Sequence, residues 1–236
     1  MEFRSTVVWV TGASAGIGRA TAGAFLNAGA RVVASARTME RLEAAFEGVD
    51  NENLLLLPCD VADETAVQAA GQKIASQSGG VDILVNNAGT TVFRPFLSST
   101  IEDFDTLHST NLRGPFLCTQ AVLPGMIEKG RGAVVMVSSM AAVHAFPDSS
   151  VYSAGKAGLK AMADCLRLEV RKSGIRVISV FPGATYTEIW PTRVLEKHGE
   201  KMMQPEDVAS AIVHACSAPH GVMYEEIFMQ PIGGGL

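Results

Sequence analysis

A tyrosine and a lysine four positions apart, Tyr152 and Lys156, form the pair in this sequence with the most direct potential for chemistry. On a helix, two such side chains lie one above the other on the same face. A neighbouring ammonium group stabilises a phenolate, so the tyrosine could exchange a proton nearer neutral pH than its ordinary pKa of about 10 allows. The alternative is a pair of side chains on a solvated helix face with no chemical role, and the pair alone leaves both open.

Length and composition limit the classes of protein to which the chain can belong. The 236 residues are 47% hydrophobic and 18% charged, with a formal net charge of −5, which fits one large α/β domain and gives no sign of a nucleic-acid partner. Four scattered cysteines and five histidines show no metal-ligand spacing, so we expect reduced thiols and no metal. We also expect a cytoplasmic protein with no membrane partner, because a strand pattern from residue 6 leaves no room for a signal peptide. Furthermore, no apolar run approaches the roughly 20 residues that span a bilayer.

A glycine-rich turn at residues 11–18 separates the first predicted strand, 6–10, from the helix that follows it. The strand is almost continuously apolar, as in parallel strands buried on both faces, and a second strand follows at 31–35. Glycines at such a turn let the backbone approach a pyrophosphate, and the free N–H groups of the helix start bind it. The spacing is Gly-x-x-x-Gly-x-Gly rather than Gly-x-Gly-x-x-Gly, so a turn that only packs the helix closely on the strand remains the alternative.

The end of the second strand indicates which dinucleotide would bind. Enzymes that prefer NAD place an acid there for the ribose 2′-hydroxyl, whereas a 2′-phosphate needs a cation. This chain has Arg37 and no acid at that point, and an arginine can form two hydrogen bonds to a phosphate. The sequence therefore predicts a preference for NADP(H), with NAD(H) possible. A helix-start arginine that points into solvent is the structural alternative.

The alternation of strands and helices continues along the whole chain. Further strands are predicted at residues 54–57, 81–85, 133–137, 176–180 and 226–229, and further helices at 39–46, 63–77, 101–129, 152–172 and 205–216. We expect the proline of Gly114-Pro115 to kink or break the helical region 101–129. The alternation predicts a single α/β domain over residues 1–236 with a parallel sheet and helices on both faces, plus a short substrate lid at about 184–204.

Polar residues and glycines follow the carboxyl ends of several predicted strands. They are Asp60, residues 86–89, Ser139 and the dipeptide Pro182-Gly183. Because ligands bind at the carboxyl ends of strands in doubly wound sheets, we expect these residues to meet the glycine turn at one edge. Residues 86 and 87 are asparagines that could instead only connect turn backbones.

Together these motifs resemble the short-chain dehydrogenase/reductase family over essentially the whole chain. The resemblance rests on Thr11-Gly12-x-x-x-Gly16-Ile17-Gly18, Asn86-Asn87-Ala88-Gly89, Tyr152-x-x-x-Lys156 with Ser139 thirteen residues earlier, and Pro182-Gly183. The chain is similar to 3-oxoacyl-carrier-protein reductases and to short hydroxy-acid and carbonyl reductases. This resemblance implies a Rossmann-type doubly wound sheet of about seven strands in the order 3-2-1-4-5-6-7.

The resemblance also implies a catalytic role for four residues. Tyr152 would be the general acid in carbonyl reduction and the base in the reverse direction. Lys156 would bind the nicotinamide ribose and lower the tyrosine pKa. Ser139 would hydrogen-bond the substrate carbonyl, and Asn111 would hold a water that links Lys156 to solvent.

For the cofactor, the resemblance implies contacts along the whole predicted edge. The residues expected to bind it are Gly12, Ser14, Ala15, Gly16, Ile17, Gly18, Arg37, Asp60, Val61, Asn87, Ala88, Gly89, Tyr152, Lys156, Pro182, Gly183, Thr185 and Thr187. Thr185 stands where the family often has an aliphatic residue.

The predicted function is NADP(H)-dependent hydride transfer between the nicotinamide and a carbonyl or secondary alcohol. Two alternatives stay open: an NAD-dependent dehydrogenase of a hydroxy acid or sugar alcohol, and a dinucleotide-binding sensor without catalysis. The expected substrate pocket is moderately apolar, and its candidate residues are Phe93, His144, Phe146, Tyr186 and Trp190.

The predicted helix that carries Tyr152 has one more apolar face than the sheet needs. Ala154, Ala157, Gly158, Ala161, Cys165 and Leu168 form a stripe of small and apolar residues, apart from a second face of Leu159, Met162 and Leu166. One face would pack on the sheet and the other would be exposed in a monomer. We therefore expect a homodimer or homotetramer, the alternative being a helix wholly buried within its own chain.

Overall fold

The computed structural model describes residues 3–235, and its centre is a seven-stranded parallel sheet. The strands are β1 (Val7–Thr11), β2 (Arg31–Ala36), β3 (Leu54–Pro58), β4 (Ile83–Asn86), β5 (Gly132–Val137), β6 (Ile175–Pro182) and β7 (Glu226–Met229). Their order is β3-β2-β1-β4-β5-β6-β7, and each neighbouring pair is parallel. The predicted fold class and strand order are confirmed.

Helices cover both faces of this sheet. They are α1 (Gly16–Asn27), α2 (Met39–Ala45), α3 (Glu64–Ser78), α4 (Ile101–His108), α5 (Gly114–Lys129), α6 (Ser150–Val170), α7 (Thr192–His198) and α8 (Pro205–Cys216). One hydrophobic core joins the sheet to α1, α2 and α8, and a second joins it to α3, α5 and α6. Within residues 3–235, no helix is long and apolar enough to cross a membrane.

Strand β1 shows why the strand patterns in this sequence are continuous rather than alternating. Val8 and Val10 belong to the core on one face of the sheet, while Val7 and Trp9 belong to the core on the other. Successive side chains of a strand point to opposite faces, so a strand covered by helices on both sides needs apolar residues at every position.

The helical region between β4 and β5 is interrupted where the sequence predicts it. Helix α5 begins at Gly114, with Pro115 in its first turn. The irregular part precedes it: residues Ser109–Arg113 form a π-helical turn between α4 and α5. That wider turn carries Asn111, which is fully buried.

The lid, residues 184–204, is a loop whose two ends are joined by backbone hydrogen bonds. The Met203 N–H donates to the Ala184 carbonyl at 3.0 Å, and the Tyr186 N–H donates to the Met203 carbonyl at 2.8 Å. Helix α7 lies within the loop. Because its ends are paired, the lid starts and finishes beside the carboxyl end of β6.

Candidate active site

A cleft of about 1130 Å³ runs along the carboxyl edge of the sheet. The predicted site residues that line it are Gly12, Ser14, Ala15, Gly16, Ile17, Arg37, Asp60, Val61, Asn87, Ala88, Gly89, Phe93, Ser139, His144, Phe146, Tyr152, Lys156, Pro182, Gly183, Thr185, Thr187 and Trp190. Three predicted residues, Gly18, Asn111 and Tyr186, do not line it.

The glycine turn at the start of α1 has the geometry of a phosphate site. Gly12 and Gly16 have φ values of 65° and 49°, and a Cβ atom on Gly12 would lie 2.7 Å from the Ala88 Cα. Helix α1 has no side-chain cap at Ala15 and no acidic residue in its first turn. Its first N–H groups are therefore free to bind an anion in the cleft.

Asn87 holds this turn against the neighbouring strand β4. Its Nδ2 donates to the carbonyls of Thr11 at 2.9 Å and Gly12 at 3.2 Å, and its N–H donates to the Thr11 hydroxyl at 3.0 Å. Gly18 serves the same packing, since a Cβ there would lie 2.3 Å from both the Asn87 Nδ2 and the Gly12 carbonyl oxygen. Thus Gly18 lies outside the cleft, and Asn87 both lines the cleft and ties the turn.

Two exposed arginines, Arg37 and Arg41, line the end of the cleft beside β2. Arg37 was predicted from the end of the strand, but Arg41 on α2 was missed. The sequence could have indicated Arg41, because it follows Arg37 by four residues at a helix start, and residues four apart project to the same side of a helix. Asp60 lies at the same end and accepts a hydrogen bond from the Ala62 N–H at 3.0 Å.

Lys156 is buried in the middle of the cleft. Its Nζ donates to the Val137 carbonyl at 2.9 Å and lies 5.9 Å from the centroid of the Tyr152 ring. Burial lowers the pKa of Lys156 to about 8. Gly89 approaches it closely, since a Cβ on Gly89 would lie 3.6 Å from this Nζ and 3.3 Å from the Asn111 Oδ1.

Tyr152 is 8% exposed beside this lysine. Burial, which disfavours the charged phenolate, raises the pKa of Tyr152, and the neighbouring Ser139 hydroxyl acts in the opposite direction. The sequence predicts a lowered pKa of Tyr152 from the charge of Lys156. That expectation is wrong for the protein by itself, because removal of the phenol from water has the larger effect.

Two consecutive serines end strand β5 and serve different purposes. The Ser138 hydroxyl donates to the Lys156 carbonyl at 3.1 Å, which ties α6 to β5. The Ser139 hydroxyl accepts a hydrogen bond from the Ala141 N–H at 3.1 Å and lines the cleft. Its own O–H hydrogen remains available to a group in the cleft.

Asn111 connects the π-helical turn to the loop that follows β4. Its Oδ1 accepts from the Thr90 N–H at 2.9 Å, and its Nδ2 donates to the Thr90 carbonyl at 2.8 Å. Both ends of the side-chain amide are thus engaged by one residue.

Aromatic rings beside Tyr152 form the other end of the cleft. Phe93 stacks on Trp190 with 5.4 Å between ring centroids, and it lies 5.9 Å from both Phe146 and Tyr152. We call Phe93, Phe146 and Trp190 the aromatic wall. Tyr186 is a correction: it packs on Gly199, where a Cβ would lie 2.6 Å from its Cε2, and so it faces the lid's own fold instead of the cleft.

The chemistry of the cleft does not include a recognisable metal centre. Within residues 3–235, no group of three or more His, Cys, Asp or Glu side chains is placed to hold a metal ion. The cleft instead combines the uncapped start of α1 with Ser139, Tyr152 and Lys156, of which the tyrosine and the lysine are buried.

The chain matches the family described as short chain dehydrogenase over residues 6–197. It is 35% identical to the sepiapterin reductase of Chlorobaculum tepidum across 98% of both chains, and 32% identical to an uncharacterized oxidoreductase of Staphylococcus haemolyticus across 98% of this chain and 99% of the relative. The closed form of a serine dehydrogenase complexed with NADP+ superposes with a TM-score of 0.92 at 29% identity, over 98% of this chain and 97% of that one. A metagenomic short-chain oxidoreductase in complex with NADP gives a TM-score of 0.85 at 29% identity, over 98% and 99%. The chain therefore belongs to the short-chain dehydrogenase/reductase family and is an oxidoreductase of that family.

Proposed function

We propose that the chain is an NADP(H)-dependent oxidoreductase that transfers hydride between the nicotinamide and a carbonyl or secondary alcohol. The observation that carries the proposal is the placement of Ser139, Tyr152 and Lys156 in one cleft with the glycine turn. The NADP complexes among similar solved structures support the choice of cofactor. When bound, the dinucleotide supplies or accepts the hydride.

The cleft fits an NADP molecule at several points. The uncapped start of α1 offers backbone N–H groups to the pyrophosphate. Arg37 and Arg41 provide positive charge where a 2′-phosphate would be recognised. Asp60 and Val61 would flank the adenine, and Thr185 and Thr187 lie on the lid beside the glycine turn.

Each catalytic side chain has a defined task in this proposal. The Ser139 hydroxyl donates a hydrogen bond to the substrate carbonyl, which polarises it and fixes its position. Tyr152, which is protonated at neutral pH, donates its proton to the oxygen as the general acid. Lys156 binds the ribose hydroxyls, and Asn111 supports the proton supply behind it.

Two alternatives lead to different measurements. An NAD-dependent dehydrogenase of a hydroxy acid or sugar alcohol would oxidise its substrate with NAD+ at least as efficiently as with NADP+. A sensor that only binds the dinucleotide would show binding without turnover. The complete set of Asn111, Ser139, Tyr152 and Lys156 favours catalysis over sensing.

We further propose that this single domain works as a homo-oligomer in the cytoplasm. On α6, the residues Ala154, Ala157, Ala161, Cys165 and Leu168 are exposed, while Leu159 is buried and Met162 and Leu166 pack on the core. An apolar stripe of this kind on an exposed helix is typical of a subunit contact.

A panel of carbonyls and alcohols, assayed with both cofactors, tests the proposed function. Sepiapterin and serine belong in the panel because similar proteins carry those names. We expect NADPH-dependent reduction of at least one ketone or aldehyde, with a lower KM for NADPH than for NADH. An NADH KM equal to or below that for NADPH would contradict the cofactor assignment.

A further inference from the structure

We infer that the substrate end of the cleft selects uncharged carbonyl compounds with an apolar or aromatic substituent and disfavours carboxylates, with Glu188 as the repelling group. The inference rests on the proposed function and names its substrate class. It comes from the distribution of charge and aromatic surface around Ser139 and Tyr152.

The aromatic wall defines the surface on which the substituent would lie. Phe93 and Trp190 are nearly parallel, at an interplanar angle of 20°, and Trp190 is fixed by a 3.1 Å hydrogen bond from its Nε1 to the Thr185 carbonyl. Phe93 also meets the edge of Tyr152 at 70°. A flat apolar group next to the reacting carbonyl would therefore contact rigid rings.

The lysine and arginines that line the cleft are too distant or too engaged to receive a carboxylate there. Among the described residues they are Arg37, Arg41 and Lys156. The two arginines lie beside β2, three strands from β5, which is about 14 Å at the usual strand spacing and beyond the Debye length at physiological salt. Lys156 is buried, donates to the Val137 carbonyl and, in the proposed function, binds the nicotinamide ribose with its other N–H donors.

Two other basic residues, Arg94 and His144, lie close in sequence to members of the aromatic wall. Arg94 follows Phe93 in the chain but forms an ion pair with Asp103 at 3.0 Å, and it does not line the cleft. His144 does line the cleft and is exposed, so its imidazole is the remaining group that could receive an anion. The test therefore includes a variant of His144.

Glu188 supplies negative charge on the lid, two residues before Trp190 of the aromatic wall. It lines the cleft from the lid, and it forms none of the ion pairs found within residues 3–235. Its neighbours fix its place, because Thr187 packs on Gly16 and Trp190 stacks on Phe93. A substrate carboxylate bound beside Trp190 would therefore add a second negative charge to the part of the cleft that this lid segment lines.

A matched substrate pair tests the inference. It consists of para-acetylbenzoate, whose carboxylate lies across the ring from the reacting ketone, and its uncharged methyl ester. We expect kcat/KM with NADPH to be at least about tenfold higher for the ester, because the acid must lose water beside the aromatic wall and also meets the like charge of Glu188. In Glu188→Gln, the ratio of ester to acid should fall at least about threefold, mainly through KM for the acid. Glu196→Gln, an exposed lid residue outside the cleft, removes the same charge and should keep the wild-type ratio.

Each outcome of this test has a defined meaning. Equal reduction of acid and ester by the wild type, or an acid preference that His144→Gln removes, would overturn the inference while leaving the proposed function in place. An unchanged ratio in Glu188→Gln would overturn the role of Glu188. If neither member of the pair, nor any carbonyl of the panel, is reduced with NADPH, the proposed function itself fails and the inference fails with it.

Discussion

The buried ammonium of Lys156 should make the stability of the protein depend on pH in a specific window. Its pKa is lowered from 10.5 to about 8 because burial disfavours the charged form. Between those two values the unfolded chain binds this proton more strongly than the folded protein does. The free energy of unfolding therefore rises with pH through the window, and the gain is lost as pH falls to the folded-state pKa.

The size of the effect follows from the difference between the two pKa values. A difference of about 2.5 units corresponds to roughly 3 kcal/mol across the whole window, at about 1.4 kcal/mol per unit. Between about pH 7 and about pH 9.5, the same two values give a gain of about 2 kcal/mol. Other groups that titrate in this range contribute similarly to a variant that lacks only the lysine.

Urea unfolding of the wild type and of Lys156→Met, at both pH values and without cofactor, isolates this contribution. We expect the wild type to gain about 2 kcal/mol relative to the variant on going from about pH 7 to about pH 9.5. Lys73→Met, which removes an exposed lysine on α3, should follow the wild type. Parallel pH dependence of the wild type and Lys156→Met would refute the account of a buried, desolvated ammonium.

Three further predictions concern the cofactor, the glycine turn and the subunit contact. Arg37→Ala and Arg41→Ala should each raise KM for NADPH about tenfold, because each removes one charge-assisted contact. KM for NADH should stay within about twofold of the wild-type value. An equal rise for both cofactors in steady-state assays would contradict a 2′-phosphate role. Gly18→Ala should lower the free energy of unfolding by about 2 kcal/mol or more, since its Cβ would lie 2.3 Å from the Gly12 carbonyl oxygen. Gly23→Ala, in the same helix with nothing within 4 Å, should instead raise it by up to about 1 kcal/mol. Leu168→Glu, at a position 66% exposed on α6, should convert the sedimenting oligomer to monomer; a wild type that already sediments as a monomer at micromolar concentration would exclude the subunit contact.

The order of elements could be predicted from the sequence because buried parallel strands carry a strong local signal. Continuous apolar runs such as Val7–Thr11 alternate with helical segments that begin and end at clear signals. Asp63, for example, caps α3 through hydrogen bonds to the Thr65 and Ala66 N–H groups, and Gly79 ends the helix with φ of 74°. The carboxyl edge of a parallel sheet then brings distant motifs together. Most residues that line the cleft could therefore be predicted from their positions just after the predicted strands.

The features that sequence reasoning missed depend on tertiary contacts. The π-helical turn Ser109–Arg113 has the same residue types as an ordinary helix, and Asn111 within it is hydrogen-bonded to Thr90, which is distant in the sequence. Tyr186 was expected in the pocket, yet its position depends on the approach of Gly199 from later in the lid. The raised pKa of Tyr152 arises from burial, which depends on how the surrounding elements pack.

Proton donation by Tyr152 is the central claim, and Tyr152→Phe tests it most directly. Phenylalanine keeps a ring beside Phe93 and removes only the hydroxyl. With a carbonyl that the wild type reduces, single-turnover oxidation of bound NADPH by the variant should be slower by at least about 100-fold, while the Kd for NADPH stays within about twofold. Hydride transfer in Tyr152→Phe at the wild-type rate would contradict the account.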